Sequence, residues 1–272
     1  MGRISLLICL AFVLAGSSAA QTQVGFLAVG DYGVGGSSEA TTGTAMKRFE
    51  ARHPANWLVT LGDNDYLKSP ARFRANWQNA FGWARRAGLR VGGVLGNHDY
   101  EVARGGYELK TLGMPGRYYT RHLGDIQLFF LDSNAITARQ TSWLEQRLSQ
   151  STATWKIVLF HHPPYTCGGH SGDTDVVRYW VPLFERYGVQ LVLSGHDHNY
   201  QRFSAPSGVA YVVDGGGGAG LYRPHGCPSS YPPRVRSLYV HSFLYVSATD
   251  QRLDVSAINT RGQVADHFAL SP

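Results

Sequence analysis

The stretch Ser194-Gly195-His196-Asp197-His198-Asn199-Tyr200 follows a largely apolar run, residues 189–193, that is bounded by glycines. Such a run is typical of a buried parallel strand. In open α/β sheets, ligand-binding groups collect where strands end, because the loops there are exposed while their anchors stay rigid. Two imidazoles one residue apart can point at two neighbouring places, which suits a pair of metal ions better than one tetrahedral zinc. Taken alone, the pattern is equally compatible with an ordinary surface turn.

Four further strand-like runs end in residues of the same kinds. The runs are residues 24–29, 57–61, 89–95 and 156–160. The side chains that follow them carry oxygen or imidazole donors, and they are Asp31, Asp63, Tyr66, Asn97, His98 and His161. These donors together suit iron, zinc or manganese, and the absence of cysteine among them argues against a structural zinc site. The sequence therefore predicts one metal site built from five loops.

The order of helices and strands predicts the fold class. Strands alternate with helices through most of the chain up to residue 198, which favours a parallel sheet with helices on its faces. The later part is all strand, with runs at 209–213, 238–246, 253–258 and 264–270. We therefore predict an α/β fold, a two-sheet sandwich with helices on the outer faces and an antiparallel C-terminal part that forms the second sheet.

Residues 1–20 have the features of a secretory signal peptide. Arg3 precedes an apolar stretch, residues 4–14, that is too short to span a bilayer, and small residues precede Gln21. We therefore expect a secreted or periplasmic protein with one domain over residues 21–272 and no membrane association after cleavage. We also expect a monomer.

Charge and cysteine content narrow the class of protein further. The formal net charge of +6 falls to +5 without Arg3, and the basic residues are scattered, so nucleic-acid binding is not indicated. Loss of Cys9 with the signal peptide leaves Cys167 and Cys227. Two cysteines in an exported protein predict one disulfide, with two free thiols as the alternative.

Five motifs of the chain resemble, in order, those of the purple acid phosphatases, a family within the calcineurin-like metallophosphoesterases. They are Asp31-x-Gly33, Gly62-Asp63-x-x-Tyr66, Gly96-Asn97-His98-Asp99, Val158-x-x-His161 and Gly195-His196-x-His198. Because the motifs begin soon after the expected cleavage site, the chain is similar to the small, tartrate-resistant type. Tyr66 is the discriminating residue, since other metallophosphoesterases lack it and usually have histidine at the position of Gly33.

The resemblance implies two metal ions, Fe(III) and a divalent iron, zinc or manganese. The ligands implied for Fe(III) are Asp31, Asp63, Tyr66 and His198. Those implied for the divalent ion are Asp63, Asn97, His161 and His196, so that Asp63 bridges the pair. A phenolate is a hard anionic donor that favours Fe(III), whereas a neutral amide oxygen and two imidazoles suit the divalent ion.

The resemblance also implies an enzyme, a metal-dependent acid phosphatase. It would hydrolyse phosphate monoesters, carried by small molecules or proteins, through attack of a metal-bound hydroxide. An imidazolium would stabilise charge or protonate the leaving alcohol, and His98 and then His170 are the candidates. Three alternatives stay open: a phosphodiesterase, a nucleotide-directed phosphatase on the same site, and an iron-binding carrier with incidental activity.

Two further polar residues near the motifs, Asp99 and His162, have two interpretations each, and a third, Asp132, has one. Asp99 either orients His98 or a ligand, or is a plain turn aspartate. Asp132 is expected to cap a strand end in a structural role. His162 either touches the substrate or is exposed without function.

Overall fold

The computed structural model describes residues 23–272, so the expected signal peptide at residues 1–20 lies outside the described residues. The described elements, in chain order, are β1 (Val24–Val29), α1 (Gly36–Glu50), β2 (Trp57–Leu61), α2 (Pro70–Ala80), α3 (Gly82–Arg86), β3 (Arg90–Val94), α4 (Gly106–Leu112), β4 (Tyr119–Leu123), β5 (Ile126–Phe130), α5 (Ala138–Ser149), β6 (Trp155–Leu159), α6 (Thr174–Tyr179), α7 (Val181–Arg186), β7 (Leu191–Ser194), β8 (Tyr200–Ser204), β9 (Ala210–Asp214), β10 (Arg234–Leu238), β11 (Ser242–Ala248), β12 (Leu253–Asn259) and β13 (Val264–Leu270). Two 3₁₀ turns, His98–Tyr100 and Ala103–Gly105, lie between β3 and α4.

The strands form two sheets. The first has the order β13-β12-β11-β1-β2-β3, and the second has the order β10-β8-β9-β7-β6-β5-β4. Strands β1, β2 and β3 run parallel to one another. Strands β5, β6, β7 and β9 do so in the second sheet. All five ligand-bearing loops predicted from the sequence therefore follow parallel strands, three in the first sheet and two in the second.

The central strands are buried on both faces, which explains why they are continuous apolar runs rather than alternating ones. Along β5, Leu128 and Phe130 join the core that also contains Phe26 of the first sheet. Phe129 points the other way and packs with Trp180, between α6 and α7. Helices thus flank the two sheets, and the predicted fold class is confirmed. Within residues 23–272, none of the helices combines the length and apolar character needed to cross a bilayer.

The C-terminal strands do not form a second sheet of their own, contrary to the expectation from the sequence. Strands β11 to β13 extend the first sheet, with β11 antiparallel to β1, while β8 to β10 extend the second. The predicted strand at 238–246 is interrupted, because β10 ends at Leu238 and β11 begins at Ser242. The chain crosses between the sheets at this point. Each group of strands covers an open edge whose backbone groups would otherwise lack partners.

Candidate metal centre

The loops after β2, β3, β6 and β7 meet at one point between the two sheets. His161 Nε2 lies 3.4 Å from Asp63 Oδ1 and 3.1 Å from Asn97 Oδ1. His196 Nδ1 lies 3.3 Å from the same His161 nitrogen. The four residues that the resemblance assigns to the divalent ion therefore form one cluster, although they come from four loops.

A second cluster adjoins the first. The Tyr66 hydroxyl lies 3.3 Å from Asp31 Oδ1 and 3.1 Å from His198 Nε2. His198 Nε2 lies 3.4 Å from Asp31 Oδ1. Ligand atoms of Asp31, Asp63 and His198 fall within 4.8 Å of one another. Asp63 thus borders both clusters, where a bridging carboxylate has to lie, and all seven predicted ligands are brought together.

The imidazoles are oriented as metal-binding imidazoles usually are. His161 Nδ1 lies 2.8 Å from the Leu61 carbonyl oxygen, and His198 Nδ1 lies 2.8 Å from the Gly220 carbonyl oxygen. When each Nδ1–H donates to its carbonyl, each Nε2 turns an unshared pair toward the clusters. Acceptor atoms crowded at 3.1–3.4 Å repel one another unless a proton or cation lies between them. The donor set therefore fits the binding of cations.

Three of the predicted ligands have a left-handed backbone conformation, which residues other than glycine seldom adopt. The φ angles are 57° at Asp31, 50° at Asp63 and 71° at His196. Such a conformation costs roughly 1–3 kcal/mol per residue and concentrates at functional sites. Hydrogen bonds between the loops hold it, because Asp31 Oδ2 accepts from the His196 N–H at 2.8 Å and Asp63 Oδ1 accepts from the His98 N–H at 3.0 Å.

Two glycines allow the loops that carry the predicted ligands to approach one another closely. Gly62 has a φ of 93°, and a Cβ there would lie 2.5 Å from His161 Nδ1. At Gly33 a Cβ would lie 2.0 Å from the Asn64 carbonyl oxygen. The Gly33 carbonyl also accepts the Tyr66 N–H at 2.9 Å. The bare backbone of Gly33 therefore lets the β2 loop dock against the β1 loop and aims Tyr66 at the cluster.

The ionisable groups at the centre shift one another's pKa values. Burial opposes a charge on His161, but the carboxylates of Asp63 and Asp31 outweigh it and raise the pKa of His161 to about 9. Burial would raise the pKa of Asp63, yet the positive charge of His161 lowers it below its usual range. Burial and the same charge depress the pKa of His196. The carboxylates thus hold positive charge at the centre as a proton, which a bound metal ion would displace.

Both predicted catalytic histidines border the clusters. His98 Nε2 lies 3.9 Å from Asp63 Oδ2, and the His98 side chain keeps 35% of its surface exposed. His98 Nδ1 pairs with Glu101 at 2.9 Å. The His170 ring stacks on the His196 ring with centroids 4.0 Å apart. The structure therefore places both histidines beside predicted ligands, and their catalytic roles stay predictions.

Asp99 braces the loops after β2 and β3. Its Oδ1 accepts the N–H groups of Asn64 and Asp65 at 2.9 and 3.1 Å. Its Oδ2 accepts the Gly96 N–H and the Asn64 side-chain amide, both at 2.7 Å. These bonds join the loops that carry Asp63 and Asn97, and the role of Asp99 in orienting His98 or a ligand stays a prediction. Asp132 bonds to the Tyr100 hydroxyl and to the Asn134 N–H at 3.1 Å, which agrees with its expected structural role.

The brace on the histidine side is Asp197, which sequence reasoning missed. It is fully buried and accepts hydrogen bonds from the Gly169 N–H at 2.9 Å, from the Asn199 amide at 3.0 Å and from the Thr166 hydroxyl. These bonds hold the loop that carries His170. An acidic residue between His196 and His198 is a signal that could have indicated this role.

A second loop, also missed from the sequence, closes the histidine side. The Tyr222 ring stacks on His198 with centroids 4.4 Å apart and an interplanar angle of 10°. A disulfide joins Cys167 to Cys227 and so ties the Tyr222 loop to the His170 loop. The predicted pairing of these cysteines is therefore present. Nothing in the local sequence pattern of Tyr222 points to the site, because only tertiary packing brings it there.

The geometry agrees with the comparison to known families. The family model for calcineurin-like phosphoesterases matches residues 16–200, more than half of the chain. The chain belongs to this family. The tartrate-resistant acid phosphatase type 5 of Rattus norvegicus is 26% identical over 250 residues, which cover 75% of this chain and 76% of the relative. Purple acid phosphatase 7 of Arabidopsis thaliana is 26% identical over 290 residues, covering 90% and 85% of the two chains.

Solved structures share the fold. The purple acid phosphatase PPD1 from yellow lupin superposes with a TM-score of 0.77 at 17% identity, covering 92% of this chain and 54% of its own. The Plasmodium protein GAP50, an anchor in the inner membrane complex, superposes with a TM-score of 0.79 at 18% identity, covering 92% and 89%. The sequence comparisons confirm the predicted resemblance and support a metal-dependent phosphatase, while these structures support the fold alone.

Proposed function

We propose that this chain is an acid phosphatase that hydrolyses phosphate monoesters at a dinuclear centre of Fe(III) and a divalent iron, zinc or manganese. The observation that carries the proposal is the position of Asp63, between a cluster that contains a phenol and a cluster that contains an amide and imidazoles. One hard, anionic donor set beside one neutral donor set matches one trivalent and one divalent ion.

In this proposal Asp31, Tyr66 and His198 hold the ferric ion, with Asp63 shared. Asn97, His161 and His196 hold the divalent ion. Bound ions of this kind polarise a phosphoryl oxygen and lower the pKa of water from about 15.7 toward about 7. The fixed Nδ1–H donors of His161 and His198 keep both rings aimed inward, so metal binding requires no rotation of these rings.

Two histidines of the chain act as proton donors toward the leaving alcohol. The His98 side chain is 35% exposed, and its bond to Glu101 holds the imidazole beside Asp63. A protonated His98 donates its proton to the leaving alcohol, and His170 provides a second donor above His196. Because general-acid catalysis requires a protonated donor, we expect an acidic optimum.

The deciding experiment is a metal analysis combined with a visible absorption spectrum of the purified protein. We expect two metal ions per chain and a tyrosinate-to-Fe(III) charge-transfer band that disappears in Tyr66→Phe. Tyr222→Phe is the matched control, since the Tyr222 ring stacks on His198 and, within residues 23–272, no hydrogen bond joins its hydroxyl to Asp31. Two irons without colour, or colour that survives in Tyr66→Phe, would contradict the proposed ferric site.

The substrate class is tested by comparing the turnover of p-nitrophenyl phosphate with that of its bis-ester. Faster turnover of the monoester is expected. Preference for the diester would favour the phosphodiesterase alternative, and faster turnover of nucleotides than of p-nitrophenyl phosphate would favour the nucleotide-directed one. Slow metal exchange with negligible turnover of any of these would favour the iron carrier.

We further propose that the mature chain is exported and monomeric. The Cys167–Cys227 disulfide supports an oxidising compartment. N-terminal sequencing of the exported protein is expected to begin at Gln21, and size-exclusion chromatography is expected to give one chain per particle.

A further inference from the structure

His162 follows His161 directly, yet a separate contact holds it in place. The Ser133 hydroxyl oxygen accepts the His162 backbone N–H at 3.0 Å. The same oxygen lies 2.8 Å from His162 Nδ1. Ser133 is 7% exposed, and its loop follows β5, the strand next to β6. The imidazole of His162 is thus clamped at one nitrogen by a neighbouring loop.

The clamp determines which nitrogen of His162 carries hydrogen. Within residues 23–272, the hydrogen-bond partners of Ser133 Oγ are both on His162. Since Oγ accepts from the backbone N–H, its own hydrogen needs an acceptor, and Nδ1 is the one in reach. An imidazole that accepts at Nδ1 bears its hydrogen on Nε2. His162 then acts as a hydrogen-bond donor through Nε2 rather than as a metal ligand.

The His162 ring lies beside two of the ligands predicted for the divalent ion. The His162 ring lies 4.6 Å from the His196 ring and 4.9 Å from the His161 ring, measured between centroids. One nitrogen from each of the three histidines falls within 4.8 Å of the other two. An anion that binds beside His161 and His196 is therefore within reach of His162.

We propose that His162 binds a phosphoryl oxygen of the substrate through Nε2–H, and that Ser133 positions His162 for this contact. The inference rests on the proposed function for the identity of the anion, a phosphoryl group. It adds a substrate-binding donor beside His161 and His196, in addition to His98, whose ring packs against Tyr66.

The test measures inorganic phosphate binding by calorimetry, and KM and kcat with p-nitrophenyl phosphate, on the metal-loaded protein. One hydrogen bond to a charged group is lost in His162→Phe, so we expect phosphate affinity to fall and KM to rise by about 10-fold. Metal content is expected to be unchanged. His162→Gln, whose amide can still donate, is expected to recover part of the affinity. Ser133→Ala frees the ring and is expected to weaken phosphate binding by about 3-fold.

His122→Phe is the control, because His122 is exposed on β4 away from the centre. It is expected to bind phosphate as the parent does. Unchanged phosphate affinity in a folded His162→Phe protein would overturn the proposal. Loss of one metal ion per chain in that variant would also overturn it, because His162 would then be a ligand. Failure of the proposed function is seen separately in the parent protein, as missing turnover, and leaves the phosphate comparison valid.

Discussion

The loops of the two sheets contribute different chemistry to the same centre. The first sheet supplies oxygen donors, from Asp31, Asp63, Tyr66 and Asn97. The second sheet supplies nitrogen donors, from His161, His196 and His198. Neither set is sufficient alone, since each of the two clusters contains members of both. The two clusters therefore form only where the sheets pack against each other.

The loops of the first sheet, here called the oxygen side, and those of the second sheet, the nitrogen side, are the two halves of the centre. They are also braced in different ways. On the oxygen side, Asp99 joins two neighbouring loops of one sheet through backbone N–H groups. On the nitrogen side, Asp197 holds the His170 loop, and a disulfide adds a covalent tie to the Tyr222 loop. From this difference we expect loss of the oxygen-side brace to disturb predicted metal ligands, and loss of the nitrogen-side brace to disturb His170.

The largest effect is expected from Asp63→Asn, because Asp63 borders both clusters. Removal of its charge is expected to lower metal content and to reduce kcat by more than the roughly 10–100-fold typical of losing an outer-shell partner. Metal analysis and initial rates check this. Asp125→Asn, in the exposed turn between β4 and β5, is the control. An Asp63→Asn protein that binds two metal ions and has normal turnover would show that the two clusters do not share the Asp63 carboxylate.

A smaller effect is expected from the two braces, and it should differ between them. In Asp99→Asn the new amide faces donors that Asp99 now accepts from, so we expect a stability loss of about 1–3 kcal/mol. We also expect partial metal loss and a kcat reduced by about 10–100-fold. Asp197→Asn is expected to keep both metals and to reduce kcat by about 10-fold, because it displaces but does not remove His170 and general acid–base catalysis is worth roughly 10²–10⁴-fold.

Chemical denaturation, metal analysis and initial rates on the two variants together check this difference. If Asp197→Asn loses metal to the same degree as Asp99→Asn, the division of labour between the halves is wrong.

The smallest effect on activity is expected from Glu108, whose charge changes the pH dependence of the free energy of unfolding. Burial raises the pKa of Glu108, on α4, to about 7 from an unfolded value near 4.5. Between these values the folded chain holds a proton that the unfolded chain has lost, so the free energy of unfolding falls as pH rises through this range. The fall is at most about 3 kcal/mol for this group. Glu39 has a similarly raised pKa, about 7, and contributes its own share.

Glu108→Gln is expected to flatten this dependence, as measured by urea unfolding at several pH values, while Glu39 keeps part of it. Glu185→Gln, exposed on α7, is expected to leave the pH dependence as it is. Parent and Glu108→Gln curves of equal slope would show that Glu108 does not hold a proton in the folded chain.

The sequence predicted the site better than the arrangement of the strands. Each predicted ligand lies within five residues of an apolar strand, so its position is a local property that motif spacing records. The partition of β8 to β13 between two sheets was not predicted, because strand pairing depends on which edges are open after the core strands assemble. Asp197 and Tyr222 escaped detection for a related reason, since their partners lie on other loops.

By itself, the sequence determined the α/β class, the family and the seven side chains that meet at the centre, because apolar runs, glycines and the residues after them are encoded next to one another. Only the tertiary structure decided that oxygen donors come from one sheet and imidazoles from the other, and that Ser133 clamps His162. Those facts arise from packing two separately formed sheets, and contacts between distant segments leave no periodic pattern along the chain.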